Sequence, residues 1–208
     1  MSTKKLYLYP VWLRVWHAIN AICIILLGIT GISMQYTSIE DPFIQFDRAV
    51  SIHNLVGIII IFSYGFFFIA NILTNNFQQY KIELNGLTQR LVKQGQYYLS
   101  GYLKGLSKPF PISKENKFNP LQRISYFGAM YILVPVVMIT GIALLFPDMI
   151  IEKIYTMSGI RLTAFFHSLA GFFILIFLII HLYVITIGKH PLKNFKSIID
   201  GYHEAEDH

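Results

Sequence analysis

The stretch FFHSLAGFFILIFLIIHLYVITI, residues 165–187, decides the fold of this chain. It contains no Asp, Glu, Lys or Arg, and it exceeds the roughly 20 apolar residues that a helix needs to cross a bilayer. Two titratable side chains interrupt it, His167 and His181, fourteen positions apart. Because an unpartnered polar group in hydrocarbon costs several kcal/mol, both histidines require an explanation.

The composition places the chain among integral membrane proteins. Of its 208 residues, 54% are hydrophobic and 13% are charged, whereas soluble domains average about 25% charged residues. The net charge of +6 does not indicate nucleic-acid binding, because the basic residues lie between apolar segments, where membrane orientation explains them. The single cysteine, Cys23, excludes an iron–sulfur cluster held by this chain alone and covalent haem attachment.

Four apolar segments are predicted to span the membrane within a single domain of residues 1–208. The first is too long for a signal peptide and lacks a small-residue cleavage site, so we expect it to be retained. Pro135 is expected to kink the third span, and Pro147 to end it. The predicted spans are residues 13–34, 51–73, 121–146 and 162–187.

Lysine and arginine are concentrated near both termini and in the loop of residues 74–120. The other two loops contain only Arg48, Lys153 and Arg161. The positive-inside rule therefore places both termini and the long loop in the cytoplasm.

The long loop carries an apolar stripe at near-helical spacing. An amphipathic helix on the cytoplasmic membrane surface explains this stripe, and a solvated connector remains an open alternative. The stripe consists of Leu84, Leu87, Leu91, Tyr98, Tyr102 and Leu106.

Four of the seven histidines lie in predicted spans, and the orientation sorts them into two depths. His17 and His181 lie near the cytoplasmic face, and His53 and His167 lie near the outer face. A lone histidine in a span is readily explained by a hydrogen bond between helices. Two at each depth, from two different helices, require a joint explanation.

Bis-histidine ligation of haem iron supplies that explanation. His167 and His181 are separated by about 21 Å along a helix and point to nearly the same face, about 40° from whole turns. Pairs of imidazoles on facing helices suit haem, which is held by axial side chains in apolar surroundings. Gly57 and Gly171, at i+4 from His53 and His167, would leave room for it. Ordinary close helix packing is the alternative for each glycine.

Other centres fit the pattern less well. Zinc sites require three or four ligands close together, and di-iron sites require histidines clustered with carboxylates. Asp and Glu occur only at the ends of the spans, which disfavours a carboxylate proton relay or an ion carrier. A transporter with histidine relays would need polar groups at mid-membrane, whereas these histidines lie nearer the faces.

These residues resemble the bacterial di-haem cytochrome b family, the membrane subunits of formate dehydrogenases, nickel–iron hydrogenases and thiosulfate reductases. The resemblance covers essentially the whole chain: R-x-x-H at residues 14–17, the early histidine of the second helix at His53, and H-x13-H at His167 and His181. It implies two non-covalent b-type haems. His17 and His181 would bind one on the cytoplasmic side, and His53 and His167 the other on the outer side.

The resemblance also implies the fold, the location and a quinone site. The expected fold is an all-α integral membrane four-helix bundle with haems between helices and both termini cytoplasmic, in the bacterial inner membrane. The segment KFNPLQ, residues 117–122, is similar to the segment entering the family's third helix, where an asparagine lies beside the quinone; that role falls on Asn119. Leu121 departs from the small residue of formate dehydrogenase subunits. The alternative is that Asn119 caps the third helix before Pro120.

Basic residues near the cytoplasmic face leave two interpretations open. Arg14 and Lys189 would either pair with haem propionates or anchor helix ends by snorkelling. The tail histidines His190, His203 and His208 are expected to be solvated.

The predicted function is transmembrane electron transfer, through the two haems, between the quinone/quinol pool and a periplasmic-side redox subunit, either an iron–sulfur protein or a multihaem cytochrome. The chain lacks catalytic machinery for a small soluble substrate, so we expect it to be the membrane subunit of an oxidoreductase complex. The only redox reaction expected of this subunit with a diffusible molecule is that with quinone. The alternative is a haem-free membrane anchor whose histidines only hydrogen-bond between helices.

Overall fold

The computed structural model describes residues 4–38, 40–187 and 193–205, and it is predominantly helical. In this described part, short strands occur only near the termini and in the loop between α5 and α6. In chain order the elements are β1 (Lys4–Tyr7), α1 (Val11–Tyr36), α2 (Phe46–Leu73), α3 (Leu87–Gln96), α4 (Pro120–Gly128), α5 (Val134–Leu145), β2 (Lys153–Ile154), β3 (Met157–Ser158), α6 (Gly159–Thr186), α7 (Lys193–Asp200) and β4 (Tyr202–Ala205).

Within the described residues, four helices are long and apolar enough to cross a membrane, as the sequence predicts. Each begins one to five residues before the predicted apolar segment. Asp47 lies in the first turn of α2, where a carboxylate stabilises the positive end of the helix dipole. The four spans are Val11–Tyr36, Phe46–Leu73, Pro120–Leu145 and Gly159–Thr186.

The chain divides into two compact units. The loop unit consists of the described residues within Met1–Val15, Ala70–Ala129 and Phe177–His208, and the bundle unit consists of those within Trp16–Ile69 and Met130–Ile176. Whether they act as the single predicted domain stays a prediction.

In the bundle unit, α1 and α2 pack through aromatic and small side chains. The rings of Trp16 and Phe67 stack with centroids 4.2 Å apart. About two turns further along, a buried cluster forms around Cys23, Val56 and Ile60. Cys23 therefore packs as a small hydrophobic residue. Close packing of these side chains holds the two helices together.

The other two spans complete a four-helix bundle within this unit. Tyr64 on α2 donates a hydrogen bond to the main-chain oxygen of Met130 at 2.9 Å, and Gly28 on α1 lies against Leu175 on α6. The predicted fold class, an all-α membrane four-helix bundle, is confirmed.

The third span is interrupted by a π-helical turn, Ala129–Leu133, which lies between α4 and α5. Pro135 lies two residues after the end of this turn, and a proline lacks the N–H that an α-helix requires. The bond from Tyr64 satisfies a carbonyl of this turn. Pro147 begins a short 3-10 turn after Leu145, so it ends the span as predicted.

The helix of the long loop is shorter than the predicted stripe. It comprises α3 and a π-helical turn, Tyr97–Gly101. Gly86, with φ of +62°, precedes the helix, and Gly105, with φ of +70°, follows it. Both adopt left-handed conformations that a helix does not continue through. Its position on the membrane surface stays a prediction.

In the loop unit, the two ends of the chain form a small antiparallel sheet. Strand β1 pairs with β4, with Leu6 opposite His203. The main-chain oxygen of Gly201 accepts hydrogen bonds from Leu8 and Tyr9. His203 is 5% exposed, so the expectation that it is solvated is wrong. His190 and His208 lie outside the described residues.

Candidate functional site

The imidazole rings of His53 and His167 lie together in the bundle unit. His53 belongs to α2 and His167 to α6, and their ring centroids are 6.1 Å apart at an interplanar angle of 67°. Two imidazoles that share one metal ion have centroids about 6 Å apart, because each metal–nitrogen bond is about 2 Å long. The separation therefore fits a metal ion between the rings, although haem binding by this pair stays a prediction.

Each of these rings contacts a threonine on a neighbouring helix. Oγ1 of Thr30 on α1 lies 2.8 Å from Nδ1 of His53. Oγ1 of Thr140 on α5 lies 3.1 Å from Nδ1 of His167. Metal-binding histidines commonly use one ring nitrogen for the metal and the other for such a contact. Sequence reasoning missed both threonines.

Glycines provide space on two sides of this histidine pair. An added Cβ at Gly57 or Gly171 would meet no heavy atom of the described chain within 4 Å, so both predicted positions adjoin open space. An added Cβ at Gly31 or Gly141 would instead lie 3.6 Å and 3.0 Å, respectively, from Cε1 of the adjacent histidine ring. The residues present fit a flat group bound through two imidazoles.

In the loop unit, His181 is surrounded by aromatic rings. The ring of Phe177 lies 5.8 Å away and is nearly parallel. The hydroxyl of Tyr126 lies 3.4 Å from Nδ1 of His181, and Phe118 packs edge-on against the Tyr126 ring at 4.8 Å. These apolar and aromatic surroundings suit an axial ligand, and Tyr126 was not predicted.

His17 lies on α1 and is assigned to the bundle unit, whereas His181 is assigned to the loop unit. Their predicted pairing as ligands of one haem therefore stays a prediction. One turn after His17, the side-chain amide of Asn20 donates to Oγ of Ser63 at 2.6 Å. This bond joins α1 and α2 beside the candidate ligand.

No group of three or more His, Cys, Asp or Glu side chains comes together within residues 4–38, 40–187 and 193–205. A zinc site normally needs three or four such ligands. Two-histidine sites remain the candidates for a metal centre in the described chain.

Arg14 forms a structural contact within the loop unit. Its guanidinium donates to the main-chain oxygen of Ile199 at the end of α7. Its Nε is buried and has no hydrogen-bond partner in the described chain, but the same holds for Arg90 and Arg123. The orphaned atom therefore does not select between propionate binding and anchoring. Lys189 lies outside the described residues.

Asn119 forms a complete capping box at the start of α4. Its Oδ1 accepts from the main-chain N–H of Gln122 at 2.9 Å, and the Gln122 side chain accepts from the Asn119 N–H at 3.1 Å. Its Nδ2 also donates to the hydroxyl of Tyr98 at 2.7 Å. Burial raises the pKa of Tyr98, against the hydrogen bonds from Asn119 and Gln94, so the phenol is neutral. The capping alternative is present, together with a polar contact to the loop helix.

Two comparisons relate the chain to known proteins. The sequence model of a family described as "Prokaryotic cytochrome b561" matches residues 8–201. The Escherichia coli (strain K12) protein named "Putative cytochrome YdhU" is 33% identical over 201 residues, which cover 96% of this chain and 75% of that protein.

Proposed function

Because the chain belongs to the prokaryotic cytochrome b561 family, whose members transfer electrons in membranes by means of b-type haem, we propose that it connects the quinone pool to a redox partner on the periplasmic side. The family membership confirms the predicted resemblance to bacterial membrane cytochromes b. It also identifies the chain as a multi-pass protein of the bacterial inner membrane. The quinone, the partner and the number of haems belong to the proposal.

Two b-type haems are proposed, and four histidines would hold them. His53 and His167 would hold the outer haem, and His17 and His181 the cytoplasmic one. The observation that carries this proposal is the 6.1 Å separation of the first pair, with Nδ1 of each ring in contact with a threonine. Haem bound at these sites supplies reversible one-electron chemistry, whose potential depends on the axial ligands and their hydrogen bonds.

The residues around each site would hold the haem and keep water away from it, and the redox chemistry would belong to the haem. The apolar helices keep water from the histidine pair, which lowers the local dielectric and strengthens the hydrogen bonds there. Phe177 and Tyr126 serve the same purpose around His181. Arg14 is proposed to neutralise a haem propionate with the donor atoms that Ile199 does not use.

The quinone is proposed to bind at the cytoplasmic side near Asn119. A quinone needs a hydrogen-bonding group at the membrane boundary, a source of protons and a nearby electron carrier. The Asn119 amide and the neutral Tyr98 hydroxyl form such a polar group where the loop meets the third span. Asn119 has a second N–H on Nδ2 that could donate to a quinone oxygen.

The periplasmic partner is proposed to be an iron–sulfur protein or a multihaem cytochrome. The outer loops would contact it, and the outer haem would be the nearer of the two. Lys81, Arg90, Arg123 and the other basic groups of the long loop are on the opposite side by the positive-inside rule, so the loop helix would rest on the cytoplasmic leaflet.

Purification in mild detergent tests the proposal. A visible spectrum and a pyridine haemochrome assay are expected to give two acid-acetone-extractable haems per chain. One haem per chain would contradict the second site. A chain without a Soret band would instead be the haem-free anchor, whose histidines only join helices.

A further inference from the structure

The same four residues, Ile-Thr-Gly-Ile, occur at positions 29–32 of α1 and 139–142 of α5. In each case the threonine contacts Nδ1 of a histidine on the next span, and the glycine lies beside Cε1 of the same ring. Helix α1 contacts His53 in this way, and α5 contacts His167. Two unconnected helices thus form the same arrangement around the two rings.

The hydroxyl hydrogen of Thr30 is already used. Its Oγ1 donates to the main-chain oxygen of Leu26 at 2.8 Å, one turn earlier in α1. A hydroxyl has one hydrogen and two lone pairs, so towards His53 this oxygen acts as an acceptor. With the hydroxyl hydrogen in that bond, Nδ1 of His53 carries a hydrogen and Nε2 has the lone pair. Thr30 is 1% exposed, so water does not compete for this bond.

The same assignment follows independently for Thr140. Its Oγ1 donates to the main-chain oxygen of Val136 at 2.6 Å, and therefore accepts from Nδ1–H of His167. The main chain of Val137 also hydrogen-bonds this ring. His167 thus has a main-chain partner in addition to the Thr140 hydroxyl, whereas Thr30 is the hydroxyl partner of His53.

We propose that Thr30 and Thr140 are positioning residues that hold His53 and His167 as the Nδ1-protonated tautomers, which keeps both Nε2 atoms free to bind haem iron. This inference rests on the ligand pair of the proposed function. Gly31 and Gly141 complete the arrangement, because an added Cβ at Gly31 would only touch the His53 ring, at 3.6 Å, whereas one at Gly141 would press on the His167 ring, at 3.0 Å. An acceptor on Nδ1–H makes the imidazole a stronger electron donor, which favours ferric over ferrous iron. The threonines therefore lower the potential of the outer haem.

The test uses the haem-loaded full-length protein with isosteric and conservative variants. Thr30→Val and Thr140→Val remove the acceptor, and Thr30→Ser and Thr140→Ser keep it. Thr74→Val is the matched control, because the Thr74 hydroxyl also donates to a carbonyl one turn earlier, that of Ala70, at the end of α2. The midpoint potentials of both haems are measured by spectroelectrochemical titration, and the inner haem serves as the internal reference.

The valine variants are expected to raise the potential of the outer haem only. Removing a hydrogen-bond partner of a metal-binding side chain typically costs about 10–100-fold in metal affinity, and each tenfold loss of ferric relative to ferrous binding corresponds to about 59 mV for one electron. Thr30→Val should give the larger shift, since His167 keeps its contact with Val137. The serine variants should match the wild type.

Several results would overturn this inference. Both valine variants could leave the outer potential at the value of Thr74→Val, or the serine variants could shift it as far as valine does. If Thr30→Val loses the haem altogether, Thr30→Ser decides: retention at the wild-type potential supports the proposal, and loss contradicts it. Failure of the proposed function is distinguishable, because the outer haem would then persist in His53→Ala.

Discussion

An added Cβ at Gly141 would lie 3.0 Å from Cε1 of His167, closer than an ordinary van der Waals contact, whereas the corresponding distance from Gly31 to His53 is 3.6 Å. The two glycines occupy the same place in the two Ile-Thr-Gly-Ile segments, but they differ in the space available for an added side chain. This asymmetry provides a matched pair of variants.

Gly141→Ala is expected to displace the His167 ring, and Gly31→Ala is expected to be tolerated. Overpacking a filled site typically costs about 1–3 kcal/mol, so Gly141→Ala should weaken retention of the outer haem. The measurement is the amplitude of the outer-haem absorbance after purification. Equal behaviour of the two alanine variants would contradict the packing that the structure describes.

Removing a proposed ligand should remove one haem and spare the other. His53→Ala or His167→Ala should eliminate the outer haem, because a single imidazole remains at that depth. His17→Ala or His181→Ala should eliminate the cytoplasmic one. Difference spectra identify the missing component, and circular dichroism checks that the protein is folded, since lost haem also removes binding energy. Loss of the same component from His17→Ala and His53→Ala would show that the pairing is wrong.

Two substitutions at Asn119 separate capping from quinone binding. Asn119→Asp keeps the oxygen that caps α4 but removes both N–H groups of Nδ2, whereas Asn119→Leu also removes the cap, at a cost of about 0.5–2 kcal/mol. Under the proposed function, Asn119→Asp keeps both haems and the stability of the protein, yet quinol reduces the haems more slowly.

Stopped-flow reduction by a soluble quinol, together with thermal unfolding, provides the measurement for these variants. If Asn119→Asp were reduced as fast as the wild type, Asn119 would be only a cap. A quinone-analogue inhibitor that shifts the spectrum of the outer haem would move the site to the opposite face.

Gly159 closes the base of the hairpin formed by β2 and β3. Its N–H donates to the oxygen of Glu152 at 3.0 Å, and an added Cβ would lie 1.8 Å from the main-chain oxygen of Ile151. Gly159→Ala must therefore move backbone, and we expect a loss of stability of about 1–3 kcal/mol or more.

Gly65→Ala is the control for this substitution, since no heavy atom of the described chain lies within 4 Å of its added Cβ. In mid-helix, alanine should stabilise the protein by about 0.5–1 kcal/mol. Unfolding in mixed micelles measures both variants. A neutral Gly159→Ala would show that the hairpin does not close on α6 in this way.

Glu83 makes the long loop sensitive to acid. Hydrogen bonds from Arg90 and then Arg123 lower the pKa of Glu83 below its ordinary value of 4.5. Its contribution to stability is therefore fully present above pH 4.5 and is lost as the pH falls through the lowered pKa. Exposed ion pairs are worth about 0.2–1 kcal/mol each, so the effect should be a few-fold.

Pepsin cleavage of the loop, compared between Glu83→Gln and the wild type at each pH, measures this effect. The ratio of the two rates should exceed one near pH 4.5 and approach one on further acidification. Glu152→Gln, in the outer loop, should give a ratio of one throughout. A ratio for Glu83→Gln that does not change with pH would exclude the ion pairs as the cause.

The sequence alone determined which segments are long and apolar enough to cross a membrane. An apolar run of this length favours the bilayer interior, and the distribution of lysine and arginine predicts its orientation, so the prediction that His53 and His167 share one level needed no coordinates. The resemblance carried by residues 14–17 and by H-x13-H led to the family that the comparisons confirm.

Only the tertiary structure decided what each imidazole contacts. Thr30 and Thr140 read as ordinary membrane residues, because helical spacing gives no information about which residue of another helix lies opposite a ring. Asn119 was a quinone candidate or a cap by sequence, and the two hydrogen bonds with Gln122 established the cap. His203 was expected in solvent, yet strand pairing with β1 buried it. Contacts between distant segments depend on the rotation and register of whole helices, which local sequence does not encode.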